Sequence, residues 1–153
     1  MISNGKFYES QFEEATIELL REAHWQYAFG DDIHRKYTDP LIEEDLRNFL
    51  AVQYKDKNLT TSEMDSIVAN LRNTGGQNDY YALRNTFLLY RDGYDFAYSD
   101  GRSNPFRLEY IDFEHPDHNI FRCVNQFVME QGRENRRPDI LLFKTVYLSA
   151  SSN

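Results

Sequence analysis

The sequence predicts an α+β fold, with helices in the N-terminal half packed on a mixed β-sheet formed mainly by the C-terminal half. Three observations carry that expectation. Apolar residues recur at three- and four-residue spacing through the first half. From Tyr94 onward, short alternating or wholly apolar runs replace that pattern. Hydrophobic residues make up 41% of the 153 positions and aromatics 15%, enough for a buried core despite a mean hydropathy of -0.72.

The elements follow in order. Ser10-Gln11-Phe12-Glu13 reads as a capping box, with Ser10 at the N-cap and Glu13 three residues on. Phe12, Thr16, Leu19, Leu20 and Ala23 then form the apolar face of a first helix. Trp25 to Phe29 alternates up to Gly30 and suits a short strand. Asp39-Pro40 starts a second helix with proline at its first position, and Ile42, Leu46, Phe49 and Leu50 make its inner face. Thr60-Thr61-Ser62-Glu63 is another capping box, opening a third helix on Met64, Ile67, Val68 and Leu71 that Gly75-Gly76 breaks. A fourth helix runs from Asn78 or Asp79 to about Tyr90 and stops at Asp92-Gly93.

Strands come next. Tyr94–Tyr98 and Phe106–Phe113 flank a loop holding Asp100-Gly101 and Asn104-Pro105, as in a hairpin. A polar loop, Glu114 to Asn119, leads to an alternating strand from Ile120 to Glu130, with Phe121, Cys123, Phe127 and Met129 on one face. A turn from Gln131 to Asn135 precedes Asp139–Phe143, a wholly apolar strand that fits the centre of a sheet. Lys144 to Tyr147 extends that strand or leaves it, and Leu148 to Asn153 has the composition of a tail.

Composition limits the function. The net charge of -8 excludes a bulk nucleic-acid binder, so any DNA contact must come from a local basic patch or a partner. Cys123 is the sole cysteine, so no disulfide forms within the chain. There is no apolar run of membrane-spanning length and no signal-peptide core at Met1 to Lys6, so a cytoplasmic location is expected. The ATP-binding pattern G-x-x-x-x-G-K-[ST] is absent, as are G-x-S-x-G and H-E-x-x-H.

Asp139 is the sharpest chemical candidate. A carboxylate at the mouth of a central strand can hold Mg²⁺ against a phosphate, as phosphodiester hydrolysis needs. The plainer alternative is a strand-entry aspartate in a polar turn. Arg133, Arg136 and Arg137 form the densest positive patch and suit a DNA phosphate backbone. Their alternative is a solvated turn paired with Glu130 and Glu134. Glu13 is a further candidate carboxylate on the first helix, in competition with Glu14 and with its own capping role. Asp112, Glu114, His115, Asp117 and His118 are potential metal ligands, but their spacing matches no zinc or EF-hand pattern, which favours a polar loop. His24 and His34 are isolated, and Cys123 reads as a small core residue.

Four segments in this order resemble the N-terminal nuclease region of the restriction (R) subunit of type I restriction-modification enzymes. They are Phe12-Glu13-Glu14-Ala15 with Ile17-Glu18-Leu19-Leu20; Ile111-Asp112-Phe113-Glu114-His115-Pro116 with Asn119; Val124-Asn125-Gln126-Phe127; and Arg137-Pro138-Asp139-Ile140-Leu141-Leu142-Phe143. The resemblance covers residues from about 8 to 143. It implies a PD-(D/E)XK nuclease fold, with Asp139 as its first acidic residue and a Mg²⁺ ligand. Glu13 would match the helix glutamate that many members place near the metal. It also implies a full-length subunit with an ATP-driven motor, working with modification and specificity subunits to cleave double-stranded DNA.

The departure from the family pattern begins at Lys144. The family continues into a strand ending in Glu-x-Lys, whose glutamate is expected roughly fourteen residues after the aspartate. Here Asn153 holds that place, and no Glu-x-Lys follows Asp139. The expectation is therefore an incomplete endonuclease-like domain over 1–143 and a divergent tail over 144–153, inactive by itself, as in a fragment or a frame changed near residue 144. An incomplete sheet would leave an unpaired edge beside the Asp139 strand. Two further readings stay open: a non-catalytic module binding DNA or a partner subunit, and an unrelated α+β protein in which Asp139 is structural.

Overall fold

The computed structural model describes residues 3–36, 41–74, 80–131, 133–144 and 147–152. Asp39-Pro40, the break at Gly75-Gly76, the helix start at Asn78 or Asp79, Gly132 of the expected turn, Thr145-Val146 and Asn153 lie outside the described residues. The second helix does not start at Asp39-Pro40 as expected: Leu41 and Ile42 are non-helical and it begins at Glu43, with three acidic residues in its first turn. The chain divides into two compact units, Met1–Ile42 with Ile120–Asn153, and Glu43–Asn119.

The first unit contains α1 (Ser3–Glu22), β1 (Gln26–Phe29) and, from the far end of the chain, β4 (Phe121–Asn125), β5 (Met129–Gln131), β6 (Glu134–Arg136), β7 (Ile140–Lys144) and β8 (Tyr147–Ser152). Its four-stranded sheet has the order β1-β4-β7-β8. β1 runs parallel to β4, and the remaining pairs are antiparallel, so the sheet is mixed. The apolar strand β7 is central, as its composition predicts. Register places Val124 opposite Leu141, and both pack with Ile42, Phe127 and Phe143 in a buried cluster that Ile33 and Met129 flank. Burial of these side chains is the main force holding the sheet's inner face.

Four expectations are corrected here. Helix α1 begins at Ser3, so Ser10 and Glu13 lie inside it and form no capping box. Its apolar stripe faces inward only in part: Phe12 is 79% exposed, Leu19 66% and Ala23 is exposed, while Thr16 and Leu20 are half-buried together with Glu13 and Ile17. The strand expected from Ile120 to Glu130 breaks at Gln126, which adopts a left-handed φ of 54°. The serine-rich end is a strand, β8, paired along β7, so the Asp139 strand has no open edge there.

Helix α1 closes on His24, at φ 69°, with the Trp25 amide donating to the Leu20 carbonyl at 2.9 Å. That bond pattern satisfies carbonyls at the helix end, usually with glycine in the left-handed position. The chain then turns directly into β1.

The second unit holds α2 (Glu43–Gln53), α3 (Thr61–Thr74), α4 (Tyr80–Asp92) and the hairpin of β2 (Tyr94–Phe96) with β3 (Phe106–Leu108). Leu46, Phe49, Leu50, Ile67, Val68 and Leu71 are buried, as their helical spacing predicts. The Thr60 box forms reciprocally: the Thr60 amide donates to Glu63 at 2.9 Å and the Glu63 amide to the Thr60 hydroxyl at 3.2 Å. Gly93, at φ 66°, ends α4 with its amide on the Leu89 carbonyl. The hairpin strands are shorter than expected, because Tyr110 to Asp112 leave β3 to enter the interior. Tyr110 is fully buried and donates its hydroxyl to the Ile67 carbonyl at 2.7 Å.

Candidate functional site

Glu13 is positioned by α1 and the sheet face beneath it. Tyr27 of β1 pairs with Cys123 of β4, and the Tyr27 hydroxyl donates to Asn125 Oδ1 at 2.8 Å, so Tyr27 and Asn125 share a face. Asn125 Nδ2 then donates to Glu13 Oε1 at 3.0 Å, and Gln126 Nε2 reaches the same oxygen at 3.5 Å. Arg21, two turns further along α1, stacks its guanidinium over the Tyr27 ring at 5.2 Å. The helix therefore lies over this face with a carboxylate, rather than the Phe12 stripe, turned to the sheet. Glu14 is exposed, so Glu13 is the member of the pair that faces the strands.

Asp139 is half-buried at a bend immediately before β7. Its carbonyl accepts the Gln126 amide at 3.1 Å, one step beyond the Asn125–Ile140 register pair. Glu13 and Asp139, 126 positions apart, are thus both tied to the dipeptide Asn125-Gln126. Among the described residues, no hydrogen bond or ion pair takes up the Asp139 carboxylate.

The local backbone depends on close approach. A Cβ on Gly30, at the end of β1, would collide with the Gln126 carbonyl and with Phe127. Arg35 stacks over the Phe127 ring at 3.4 Å and donates to the Val128 carbonyl, holding the chain just after the Gln126 break.

The arginines lie on the β5–β6 hairpin and its exit. Arg133 is exposed in the turn; Arg136 stands 3.7 Å from Glu134 and Arg137 3.7 Å from Asp31. Such long, solvated pairs contribute little, which leaves both guanidiniums available to an anion. Arg137 and Pro138 directly precede Asp139 in the chain.

In kind, this donor set suits a hard divalent cation: carboxylate oxygens with amide groups around them and no sulfur or imidazole. In number it is short. Among the described residues, neither Asp139 nor Glu13 belongs to a group of three acidic or histidine ligands; the one such group is Asp112, His115 and His118. Glu114 and Asp117, expected with them, stay outside that group and are exposed.

β8 runs back along β7 until Ser152 stands opposite Ile140, next to Asp139. The strand that returns to the aspartate therefore ends in Ala150-Ser151-Ser152, with no carboxylate or lysine. The sequence reading gave no role to Asn125 and Gln126. The available signal was Asn125, an amide among Phe121, Cys123, Phe127 and Met129 on the expected apolar face of that alternating strand.

Comparison with known proteins gives two findings. The family described as type I restriction enzyme R protein N terminus matches residues 6–145. The chain is also 29% identical over 146 residues to the type I restriction enzyme HindI endonuclease subunit of Haemophilus influenzae. That match covers 88% of this chain and 14% of the relative's length. No solved structure matches the chain. No described helix is long and apolar enough to cross a membrane.

Proposed function

The chain belongs to the family of type I restriction enzyme R protein N termini, and from that membership we propose that it carries the Asp139 and Glu13 half of a Mg²⁺-dependent DNA-cleaving site of the PD-(D/E)XK kind. The observation that carries this reading is the link through Asn125-Gln126. A helix glutamate and a strand-entry aspartate meet the same dipeptide, and the aspartate's carboxylate is uncommitted among the described residues.

In this reading Asp139 would hold Mg²⁺, with Glu13 as a supporting carboxylate. Bound there, the ion would polarise a phosphate oxygen and stabilise the charge that develops during hydrolysis. Asn125 and Gln126 hold the Glu13 carboxylate in place, and the Tyr27 hydroxyl fixes the Asn125 amide. Arg133, Arg136 and Arg137 neutralise DNA phosphates beside the strand. In an R subunit, ATP-driven translocation and the modification and specificity subunits bring DNA to this site. None of those tasks falls to the present residues, which contain no ATP-binding loop.

With Ser152 beside Asp139 in the sheet and no Glu-x-Lys after it, the second metal carboxylate and the lysine that aids the attacking water are not supplied by residues 139–153. The purified chain is therefore expected to leave plasmid DNA intact in Mg²⁺. Mg²⁺-dependent nicking that disappears in Asp139→Ala would overturn that expectation.

The same absence favours a second reading, a non-catalytic module that binds DNA or a partner subunit. Salt-dependent DNA binding lost in the combined Arg133→Ala, Arg136→Ala and Arg137→Ala variant but kept in Asp139→Ala would support it.

A further inference from the structure

The loop from Asp112 to Asn119, in the second unit, contains a cluster that the proposed nuclease site does not use. Asp112 is 4% exposed. Its Oδ1 accepts the amides of Glu114 at 3.0 Å and His115 at 2.9 Å. Its Oδ2 accepts Gln53 Nε2 at 2.9 Å and faces two imidazoles, with His118 Nδ1 at 3.0 Å and His115 Nδ1 at 3.6 Å. The two rings lie nearly parallel, 4.9 Å apart and 17° from coplanar in tilt. Both imidazoles are solvent-accessible, with side chains 60% exposed for His115 and 50% for His118.

The loop is braced to hold that arrangement. Asn119 is buried and accepts the Asp112 amide at 2.9 Å. Its Nδ2 donates back to the Asp112 carbonyl at 2.8 Å and to the Pro116 carbonyl at 3.0 Å. A single turn of 3-10 helix, Pro116–His118, then brings His118 round beside His115. Burial alone would raise the Asp112 carboxyl, but the His115 amide, Gln53 and His118 outweigh it and hold the group at about 2, ionised.

We propose that this loop is a binding site for a divalent transition-metal ion of the zinc type, held by Asp112 Oδ2 and the Nδ1 atoms of His115 and His118. Around a tetrahedral ion with bonds of about 2.0–2.1 Å, neighbouring ligand atoms stand about 3.3–3.4 Å apart. The two oxygen-to-nitrogen separations here, 3.0 and 3.6 Å, bracket that value. Two imidazoles and one carboxylate select zinc-like ions over Mg²⁺, which prefers oxygen. Three protein ligands leave a position open to water or to a group from a partner. Gln53 plays the supporting part that metal-ligating carboxylates generally require, a hydrogen bond to the ligand oxygen. A simple D-x₂-H-x₂-H spacing conceals this in the sequence, because only the 3-10 turn and the Asn119 brace bring the three groups together.

The test is titration of the full chain with Zn²⁺, read by calorimetry and by imidazole nitrogen resonances. The expected result is saturation at one equivalent, with His115 and His118 shifting together while His24 and His34 stay fixed. His115→Gln and His118→Gln, both at exposed positions, should each weaken binding at least tenfold. Gln53→Ala should weaken it roughly 10–100-fold. Circular dichroism checks that each variant stays folded. Absence of saturable binding below about millimolar Zn²⁺ would overturn the proposal. So would binding that shifts His24 or His34 instead, or that survives the double histidine substitution unchanged.

Discussion

Glu13 places a carboxylate on the face of α1 that meets the sheet, where the apolar pattern would have placed Phe12 and Leu19. What makes this tolerable is the pair of amide donors from Asn125 and Gln126, since a half-buried carboxylate without donors would be costly. Glu63 shows the same rule in the second unit, buried and satisfied by the Thr60 amide and by both terminal nitrogens of Arg102. The Arg102 guanidinium, with the Thr60 amide, holds the Glu63 carboxyl well below its ordinary 4.5. Asp112 is likewise depressed, from 3.8 to about 2. A carboxyl that titrates lower folded than unfolded stabilises fully above its unfolded value and loses that contribution as pH falls towards its folded one. The chain should therefore lose stability progressively from about pH 4.5 downward. Glu63→Gln should lower the urea midpoint at neutral pH, with the gap to the parent narrowing on acidification. A gap that stays constant from about pH 5 to 2 would contradict the assignment.

At the scale of elements, the site depends on a strand break that local pattern does not reveal. Gln126 leaves β4 in a left-handed conformation, and its carbonyl rests against Gly30 with no room for a Cβ. Gly30→Ala should cost roughly 1–3 kcal/mol and shift the backbone resonances of Gln126 and Phe127. Stability within 0.5 kcal/mol of the parent would show that the contact is slack. The elements also show what was legible. The central apolar strand, the Thr60 capping box and the buried faces of α2 and α3 follow from short-range patterns. The Ser10 box did not form, because nothing before it stops the helix. Before Thr60, Asn58 at φ 50° does. The inward face of α1 departs from its apolar pattern for a related reason: the stripe is too weak to fix the helix's rotation against the amides beneath. In the candidate site, the sequence names Asp139 and Glu13 as candidates and Asn125-Gln126 only as part of a motif, because the hydrogen bonds of those amides to Glu13 exist only once β1, β4 and α1 are assembled.

At the scale of the whole molecule, the first unit is built from both ends of the chain, and the second is inserted between them. Such long-range closure leaves no local mark, so neither the two units nor the pairing of the serine-rich β8 could be read in advance. β8 pairs through its backbone, which is indifferent to its composition. β8 thus completes the four-stranded sheet while bringing serines, not acidic residues, back towards Asp139. The central claim is that Asp139 and Glu13 form half of a type I nuclease site. It is tested most directly by joining residues 1–143 to the segment that follows the matched region in the HindI endonuclease subunit. DNA cleavage is then measured with Mg²⁺, ATP and that system's partner subunits. The account predicts Mg²⁺-dependent cleavage by the chimera and a loss on the order of a hundredfold or more in Asp139→Ala. A chimera that does not cleave, or that cleaves equally well with Asp139→Ala, would contradict it.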